Sequence, residues 1–235
     1  MRCVPHSSSR PLLLMLACAL LADHASAQGF SFLGGANYTW MRDPLGVDHG
    51  PKAGHSVSGA GYSLEVDHEP GHSGPFGLCY GLAFSQRSVG YQFDETRTGY
   101  PASALNDGSD RGTRSMQCRV IELPVMLAYR GRQGLRLEGG LYVSRLLSAV
   151  DLKKGTRLVD NMSEMDLHER IDRTASLAPW EVGGIVGVLI EGPRHFHMSI
   201  RYKKGFTNLD RAIGSSPSYT DQLQVCVVYA FHTAP

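Results

Sequence analysis

The residues of this chain that could do chemistry are charged side chains and histidines that recur in segments of alternating polarity. Eight of them share the inward parity of predicted strands: Glu65, Glu122, Arg136, Glu138, Glu181, His195, His197 and Arg201. Acids and bases on one face of a sheet could line a polar channel or form a buried catalytic cluster. They could also pair and fill a narrow barrel, because charges in an interior of low dielectric must be neutralised. We favour the paired filling.

No metal or cofactor site is predicted. His195 and His197 place two imidazoles on one face of a strand, but the sequence offers no third ligand at close spacing. The segment 67–72 (Asp-His-Glu-Pro-Gly-His) also carries ligand-type residues. We expect this segment to be a solvated periplasmic turn.

Ser163, Asp166, His168 and Glu169 lie close together in the sequence, within a predicted long loop at 149–176. Closeness in sequence is not the geometry of a catalytic triad, and no nucleophile-elbow motif is present. No catalytic residue is therefore predicted. Within this loop, the stretch 162–171 could form a short amphipathic helix, although a solvated loop is favoured.

Residues 1–27 have the pattern of a secretory signal peptide. Arg2 and Arg10 form a basic region, an apolar run of eleven follows at 12–22, and Ala25-Ser26-Ala27 forms a small-residue cleavage site. The apolar run is too short to cross a bilayer as a helix, which needs about 20 residues. We expect cleavage after Ala27 and a single barrel domain at 28–235. A lipoprotein signal ending at Cys18 is the alternative.

Composition excludes several classes of protein. The chain has 23 Lys and Arg against 22 Asp and Glu, so bulk neutralisation of nucleic-acid phosphates is not expected. Its hydrophobic content of 42% is too high for a disordered chain. After residue 27 three cysteines remain (Cys79, Cys118 and Cys226), which is too few and an odd number for a disulfide framework.

Beyond the signal segment, apolar and small or polar residues alternate at period two. Eight strands are predicted at about 29–40, 56–66, 76–90, 116–130, 135–148, 177–191, 195–206 and 220–232. Short turn-forming links alternate with long polar ones. This pattern predicts an all-β fold, an eight-stranded antiparallel up-and-down transmembrane β-barrel. It would have short periplasmic turns, long extracellular loops and both termini in the periplasm.

A soluble eight-stranded barrel shows the same alternation but turns its apolar face inward, around a ligand. Aromatic residues at the ends of the apolar face favour the membrane barrel, because such barrels carry two aromatic girdles. The predicted girdle residues are Tyr38, Trp40, Trp180, Phe30, Phe76, Tyr129, Tyr229 and Phe231.

Arg119 and Arg145 are two basic residues whose parity places them on the lipid face. Each lies about eleven residues from the short turn at 131–134, which is close to a full spanning length. We therefore expect both side chains near the outer headgroups, where they would reach the phosphates of outer-membrane lipid.

Three segments resemble a known family. Residues 122–129 (ELPVMLAY) resemble the "iPl-x-l-x-y" strand of the small outer-membrane β-barrels typical of Bacteroidetes, the PorT-like or "outer membrane protein β-barrel domain" group. Residues 201–209 and 135–143 resemble its "rY-x-x-Gl-tni" and "G-x-y-x-g" segments. The resemblance implies an integral barrel in the outer membrane with no shared catalytic residues. Some members are accessory parts of protein secretion or gliding machinery.

The function expected from these patterns is a structural or interaction role. The barrel would have a filled, non-conducting interior. A protein partner would bind the long loops, at about 91–115 and 149–176, or the periplasmic turns. Two alternatives stay open: a barrel enzyme acting on lipid or peptide, and a soluble or laterally open barrel that binds a small apolar ligand. No nucleic-acid partner is expected.

Overall fold

The structure is a computed structural model that describes residues 29–42, 56–70, 74–97, 108–131, 134–159, 163–192, 195–209 and 218–231. The predicted signal peptide and its cleavage site lie outside these residues. Within the described residues, no helix is long and apolar enough to cross a membrane.

Nine β-strands lie in the described part of the chain. They are β1 (Phe30–Arg42), β2 (Ser56–His68), β3 (Phe76–Arg97), β4 (Gly108–Arg130), β5 (Leu135–Val159), β6 (Ser163–Asp172), β7 (Trp180–Glu191), β8 (Phe196–Gly205) and β9 (Tyr219–Phe231).

Eight of these strands close into a ring in the order β1, β2, β3, β4, β5, β7, β8, β9, and β9 returns to β1. All neighbours are antiparallel, and the closing pair runs from Phe30↔Phe231 to Arg42↔Tyr219. Closure gives every ring strand a backbone partner on both sides, as a sheet in hydrocarbon requires. The predicted antiparallel up-and-down ring of eight strands is therefore confirmed.

The two ends of the ring differ. At one end, called here the short-turn end, β2 connects to β3, β4 to β5 and β7 to β8 through a few residues each. β1 begins and β9 ends at this same end, because Phe30 pairs with Phe231. The other end, called the long-link end, carries the longer connections.

The apolar side chains of the ring face outward. Leu141 is 59% exposed, while its neighbour Tyr142 points inward and is buried. The same alternation runs along β9, where Val227 is exposed and Cys226 and Val228 are buried. A soluble ligand-binding barrel would show the opposite polarity, so the apolar wall requires an apolar surrounding.

Three strands continue well beyond the height of the ring. β3 has 22 residues, β4 has 23 and β5 has 25, whereas β8 has 10. β6 pairs with the outer half of β5, from Val150↔Asp172 to Val159↔Ser163. The extensions of β3, β4 and β5 together with β6 form what we call the outer sheet.

The outer sheet corrects two expectations. The regions 91–115 and 149–176 are largely strand, where the sequence predicted long loops, and 163–172 is strand β6, where it offered a helix or a loop. A sheet that meets water on both faces does not need an apolar face that alternates with a polar one. The pattern that marks ring strands therefore disappears although the pairing continues.

β5 contains a bulge in the part of the ring nearer the long-link end. Val120 pairs with Leu146 and Arg119 with Ser148, so Leu147 is an extra residue that lacks a counterpart on β4. A bulge bends its strand and increases the local twist. It lies between the ring portion of β5 and the portion that enters the outer sheet.

Candidate functional site

The ring interior contains a network of charged side chains, and its first part is centred on Arg201. The Arg201 guanidinium donates from Nε to Glu138 at 2.8 Å, from Nη1 to Glu65 at 2.7 Å and from Nη2 to Asp67 at 2.8 Å. Arg201 is 1% exposed. β8 supplies the arginine, and β2 and β5 supply the carboxylates, so the network ties strands on different sides of the ring.

A second part of the network lies toward the long-link end. Arg87 donates to Glu181 at 2.5 Å and to Glu122 at 3.1 Å, and Lys203 donates to the other oxygen of Glu122 at 2.7 Å. Hydroxyl groups surround Glu181: Tyr142 donates to it at 3.2 Å and Ser144 at 3.1 Å. Thr220 also donates to Glu181.

A third part closes the short-turn end. Glu69 accepts a hydrogen bond from Arg130 at 2.9 Å and another from Arg136, and Arg136 also pairs with Glu138 at 3.0 Å. Asp67, His68 and Glu69 are all buried. The expectation that 67–72 is a solvated turn is therefore wrong for these three residues. The network holds the side chains of Asp67 and Glu69, and the His68 ring packs against Phe30 and Tyr80. Residues 71–73 are outside the described part.

Six of the eight polar residues chosen from sequence parity belong to this network: Glu65, Glu122, Arg136, Glu138, Glu181 and Arg201. For His195 and His197 the structure shows other contacts. The amide of Gly192 donates to His197 Nδ1 at 3.1 Å, and the His195 ring lies 5.8 Å from that of Tyr229. These histidines shape the β7–β8 turn, and the described residues hold no group of three metal-type ligands.

Sequence reasoning missed five members of the network: Asp67, Glu69, Arg87, Arg130 and Lys203. Parity held a signal for four of them. Arg87 has the parity of the inward Ser85 on β3, and Arg130 has that of Glu122 on β4. Asp67 lies two residues after Glu65 on β2, and Lys203 lies two residues after Arg201 on β8, so each shares the inward face of a residue that was chosen.

The network combines six carboxylates with five cations and fills the ring with paired charge. Glycines make room for its large side chains. A Cβ added at Gly187 would lie 2.7 Å from Cγ of Arg201, and one at Gly205 would collide with Glu181. Breaking one partner of a buried ion pair costs about 3–5 kcal/mol, since the remaining charge is left uncompensated.

An apolar layer covers the network on the long-link side. Val89, Met116 and Val120 line a small cavity there, and Leu177 and Leu209 from the connecting segments complete its lining. The Ala178 amide donates to the Leu209 carbonyl at 2.8 Å and holds these segments together. The cavity volume of about 30 Å³ is close to that of one water, whereas sites for small ligands have roughly 300–1,000 Å³.

The predicted girdle residues lie on the outward face of the ring. At the short-turn end, Phe76 packs against Tyr129 with ring centroids 5.1 Å apart, and Tyr229 packs against Phe231 at 5.0 Å. Phe30 pairs with Phe231 in the β1–β9 ladder. Toward the other end, Trp40 lies 6.1 Å from Tyr38, and Trp180 is 52% exposed.

The two lipid-face arginines lie on neighbouring strands, Arg119 on β4 and Arg145 on β5, and both are exposed. The Arg145 guanidinium lies 5.4 Å from the centroid of the Trp180 ring. Trp180 is the first residue of β7, so this contact is at the long-link end of the ring. A basic residue on the lipid face costs roughly 2–4 kcal/mol at the bilayer midplane and little near the interface.

The residues that could serve as a nucleophile and its base are not close together along their strand. Ser163, Asp166 and His168 all lie on β6. Ser163 and His168 are five positions apart in β6, which is about 17 Å along the strand. A nucleophile and its base need a separation of about 3 Å.

Comparison with known proteins identifies the class to which this ring belongs. Residues 27–211 match the family model described as outer membrane protein beta-barrel domain. The chain therefore belongs to the outer membrane protein β-barrel domain family, and the family implies that it is an integral protein of the outer membrane. None of the curated proteins matches the chain.

Solved structures of low sequence identity were also found. The attachment invasion locus protein Ail of Yersinia pestis, in complex with the heparin analogue sucrose octasulfate, aligns with 86% of this chain and 99% of its own, at 13% identity and a TM-score of 0.42. Neisserial surface protein A aligns with 87% and 98%, at 10% identity and a TM-score of 0.42. OprG of Pseudomonas aeruginosa aligns with 87% and 97%, at 11% identity and a TM-score of 0.41.

Proposed function

We propose that this protein is a non-conducting outer-membrane barrel that holds the outer sheet in place to contact a macromolecular partner. The observation that carries the proposal is the division of the molecule into two parts. The ring is filled with paired charge, and the cavity above this filling has a volume of only about 30 Å³. The outer sheet is an ordered continuation of three ring strands plus β6.

The filled interior favours anchoring over transport. An eight-stranded barrel is just wide enough for its own side chains, and here Arg201, Lys203 and Glu122 occupy its centre and are fully buried. An ion that crossed this interior would have to displace paired charges from several strands at once. Anchoring requires none of these contacts to open.

The outer sheet has the properties of a recognition surface. β6 pairs only with β5 among the described strands, so its other edge is free of described backbone partners. Its exposed residues include Met165, Asp166 and Arg170, which offer both apolar and charged contacts. A rigid scaffold that positions variable connecting segments is the usual arrangement for binding sites on barrels.

The proposed orientation places the outer sheet outside the cell and both termini in the periplasm, after signal cleavage behind Ala27. The common location of the β1 start, the β9 end and the short turns supports this orientation. Outer-membrane barrels have short turns on the periplasmic side and long connections outside.

We also propose that the chain belongs to the PorT-like subgroup, which makes a secretion or gliding component a candidate partner at the outer sheet or the short turns. The strand 122–129 supports this proposal, since it carries the motif within β4. Copurification of the full chain with a secretion or gliding component after crosslinking in cells would test the subgroup.

The conductance experiment tests the filled interior. The full chain, refolded in detergent and added to planar bilayers, is expected to give no stable steps on the nanosiemens scale. Heat-modifiable migration on a gel would show that the added protein is folded. Stable wild-type steps from protein that migrates as folded would refute the proposal.

A labelling experiment tests the orientation. Asp166→Cys on β6 should react with a membrane-impermeant maleimide in intact cells. Glu191→Cys, an exposed residue at the short-turn end of β7, should react only after the outer membrane is permeabilised. The wild-type chain is the background control: Cys79 and Cys226 are buried, and the partly buried Cys118 is present in every variant. Labelling of Glu191→Cys in intact cells with Asp166→Cys protected would reverse the orientation.

A further inference from the structure

We propose that Arg119 and Arg145 together form a binding site for the phosphate group of an outer-leaflet lipid, on the outer wall of the barrel. The inference rests on the membrane placement of the ring, and it combines two residues that were each expected to reach lipid phosphate into one binding site. It does not depend on the partner of the outer sheet.

The two arginines are close enough to share one anion. Ile121 pairs with Arg145 across β4 and β5, so Arg119, two residues from Ile121 on the same face, is the diagonal neighbour of Arg145. Diagonal neighbours on adjacent strands lie about 7–8 Å apart, within reach of long side chains. The extra residue Leu147 lies beside the pair and is exposed.

The surrounding wall does not neutralise the pair. The described positions that flank it on the outward faces of β3, β4, β5 and β7 are neutral: Gln86, Gln117, Ile121, Val143, Ser148 and Val182. Farther from the short-turn end, the same face does carry an acid: Arg170 on β6 lies two residues from the exposed Asp172. The described positions that flank Arg119 and Arg145 thus leave both guanidinium groups available to an anion from the surroundings of the barrel.

The height of the pair identifies the source of that anion. Arg145 is ten residues beyond Leu135, the first residue of β5. At a rise of about 3.4 Å per residue and a tilt of about 45°, this is roughly 24 Å above the short-turn end. The apolar band of an outer-membrane barrel is about 25 Å tall, so the guanidinium groups are at the level of lipid headgroups.

The contact between Arg145 and Trp180 adds a second indication. The Trp180 ring lies 5.4 Å from the guanidinium carbon and is half exposed, so it can restrict the arginine while sharing the interface with lipid. Arginine binds phosphate through two parallel hydrogen bonds, and lysine cannot reproduce that geometry. The anion that fits is a lipid phosphate monoester or diester, held by its acyl chains against the apolar wall below.

The test measures binding of diphosphoryl lipid A to the folded full chain in neutral detergent by native mass spectrometry. A phosphate-free glycolipid is the probe that lacks the proposed ligand group. We expect Arg119→Gln and Arg145→Gln each to weaken lipid A binding about tenfold. The double variant should bind it no better than the phosphate-free glycolipid.

Arg170→Gln is the matched control, since it removes an exposed cation from the same face and should change binding less than about twofold. Equal losses from Arg170→Gln and from the proposed residues would overturn the inference, and so would a double variant that binds like wild type. Release of lipid A by millimolar inorganic phosphate would also overturn it, because the site would then be one for a soluble anion.

Heat-modifiable migration verifies folding of each variant. If the double glutamine variant does not fold, the Arg119→Lys/Arg145→Lys variant replaces it; weaker lipid A binding supports the two-arginine site, and unchanged binding overturns it. A wild-type chain that fails to enter bilayers would refute the proposed membrane function itself. A wild-type chain that enters bilayers but binds no lipid A would refute only this site.

Discussion

Replacement of Arg201 by methionine is the most direct test of the interior network. The guanidinium makes charge-assisted hydrogen bonds to Glu65, Asp67 and Glu138 at 2.7–2.8 Å, and all four side chains are buried. Methionine keeps much of the length of the side chain but removes its charge and every donor. Three carboxylates then face one another without the cation that separates them.

The expected loss in the free energy of unfolding is about 3–5 kcal/mol, the range measured when one partner of a buried pair is removed. A second route gives a similar figure. A carboxylate can escape its uncompensated charge by taking up a proton, which costs about 4 kcal/mol at pH 7 for a group whose ordinary pKa is about 4.3. Neighbouring cations such as Arg136, 3.0 Å from Glu138, limit the loss to about one such event.

The measurement is equilibrium urea unfolding of the refolded chain in lipid vesicles, followed by tryptophan fluorescence. Arg130→Met is the matched control, because the Arg130 side chain is 48% exposed and, among the described residues of the network, its ion pair is with Glu69. It should cost less than about 1 kcal/mol, as exposed ion pairs do. A loss below about 1 kcal/mol for Arg201→Met, or equal losses for both variants, would refute the view that the network stabilises the ring.

Two further predictions concern the inner and outer surfaces of the ring. Gly187→Ala should destabilise the fold by about 1–3 kcal/mol, since the new methyl group would lie 2.7 Å from Cγ of Arg201; Gly139→Ala, with nothing within 4 Å, should be close to neutral by the same urea assay. Leu141→Arg, in the middle of the apolar wall, should cost about 2–4 kcal/mol in vesicles, whereas Met165→Arg on β6 should cost little. The exposures of Leu141 and Met165 are nearly equal, 59% and 57%, so equal costs would show that the wall is not in lipid.

Much of the ring can be predicted from alternation alone. In β4, Leu123, Val125 and Leu127 share one face, and Glu122 lies on the other; a period of two identifies the strand because successive side chains point to opposite faces. The alternation of short and long links then predicts antiparallel neighbours. Both inferences use only the residue types along each strand and the lengths of the links between consecutive strands.

The outer sheet was not predicted, because no pattern within its own segments indicates strand conformation. In β5, residues 153–156 (Lys-Lys-Gly-Thr) carry no apolar alternation, yet they continue the pairing with β4 and accept β6 as a new neighbour. Their strand conformation is set by partners distant in sequence. The same holds for β6, whose residues resemble a polar loop when considered by themselves.

The candidate site was predicted only in part for a similar reason. Parity placed Glu65 and Arg201 on an inward face, but it could not show that an arginine of β8 meets carboxylates of β2 and β5. Parity also puts Arg87 on the inward face of β3, but it could not show that Arg87 meets Glu122 of β4 and Glu181 of β7. Which charges meet depends on how the ring closes and on the stagger of its strands.

The strands, their number in the ring and the existence of one polar and one apolar face are properties of the sequence, because each follows from the spacing of residue types along a single strand. The direction of the faces, the pairing of the interior charges and the outer sheet are decided by the tertiary structure. Alternation shows that a strand has two different faces, but it does not show which face points outward. Only the closed ring shows that Leu141 faces outward and Arg201 inward. Closure also brings Arg119 beside Arg145, from strands whose separate sequences indicate two isolated basic residues.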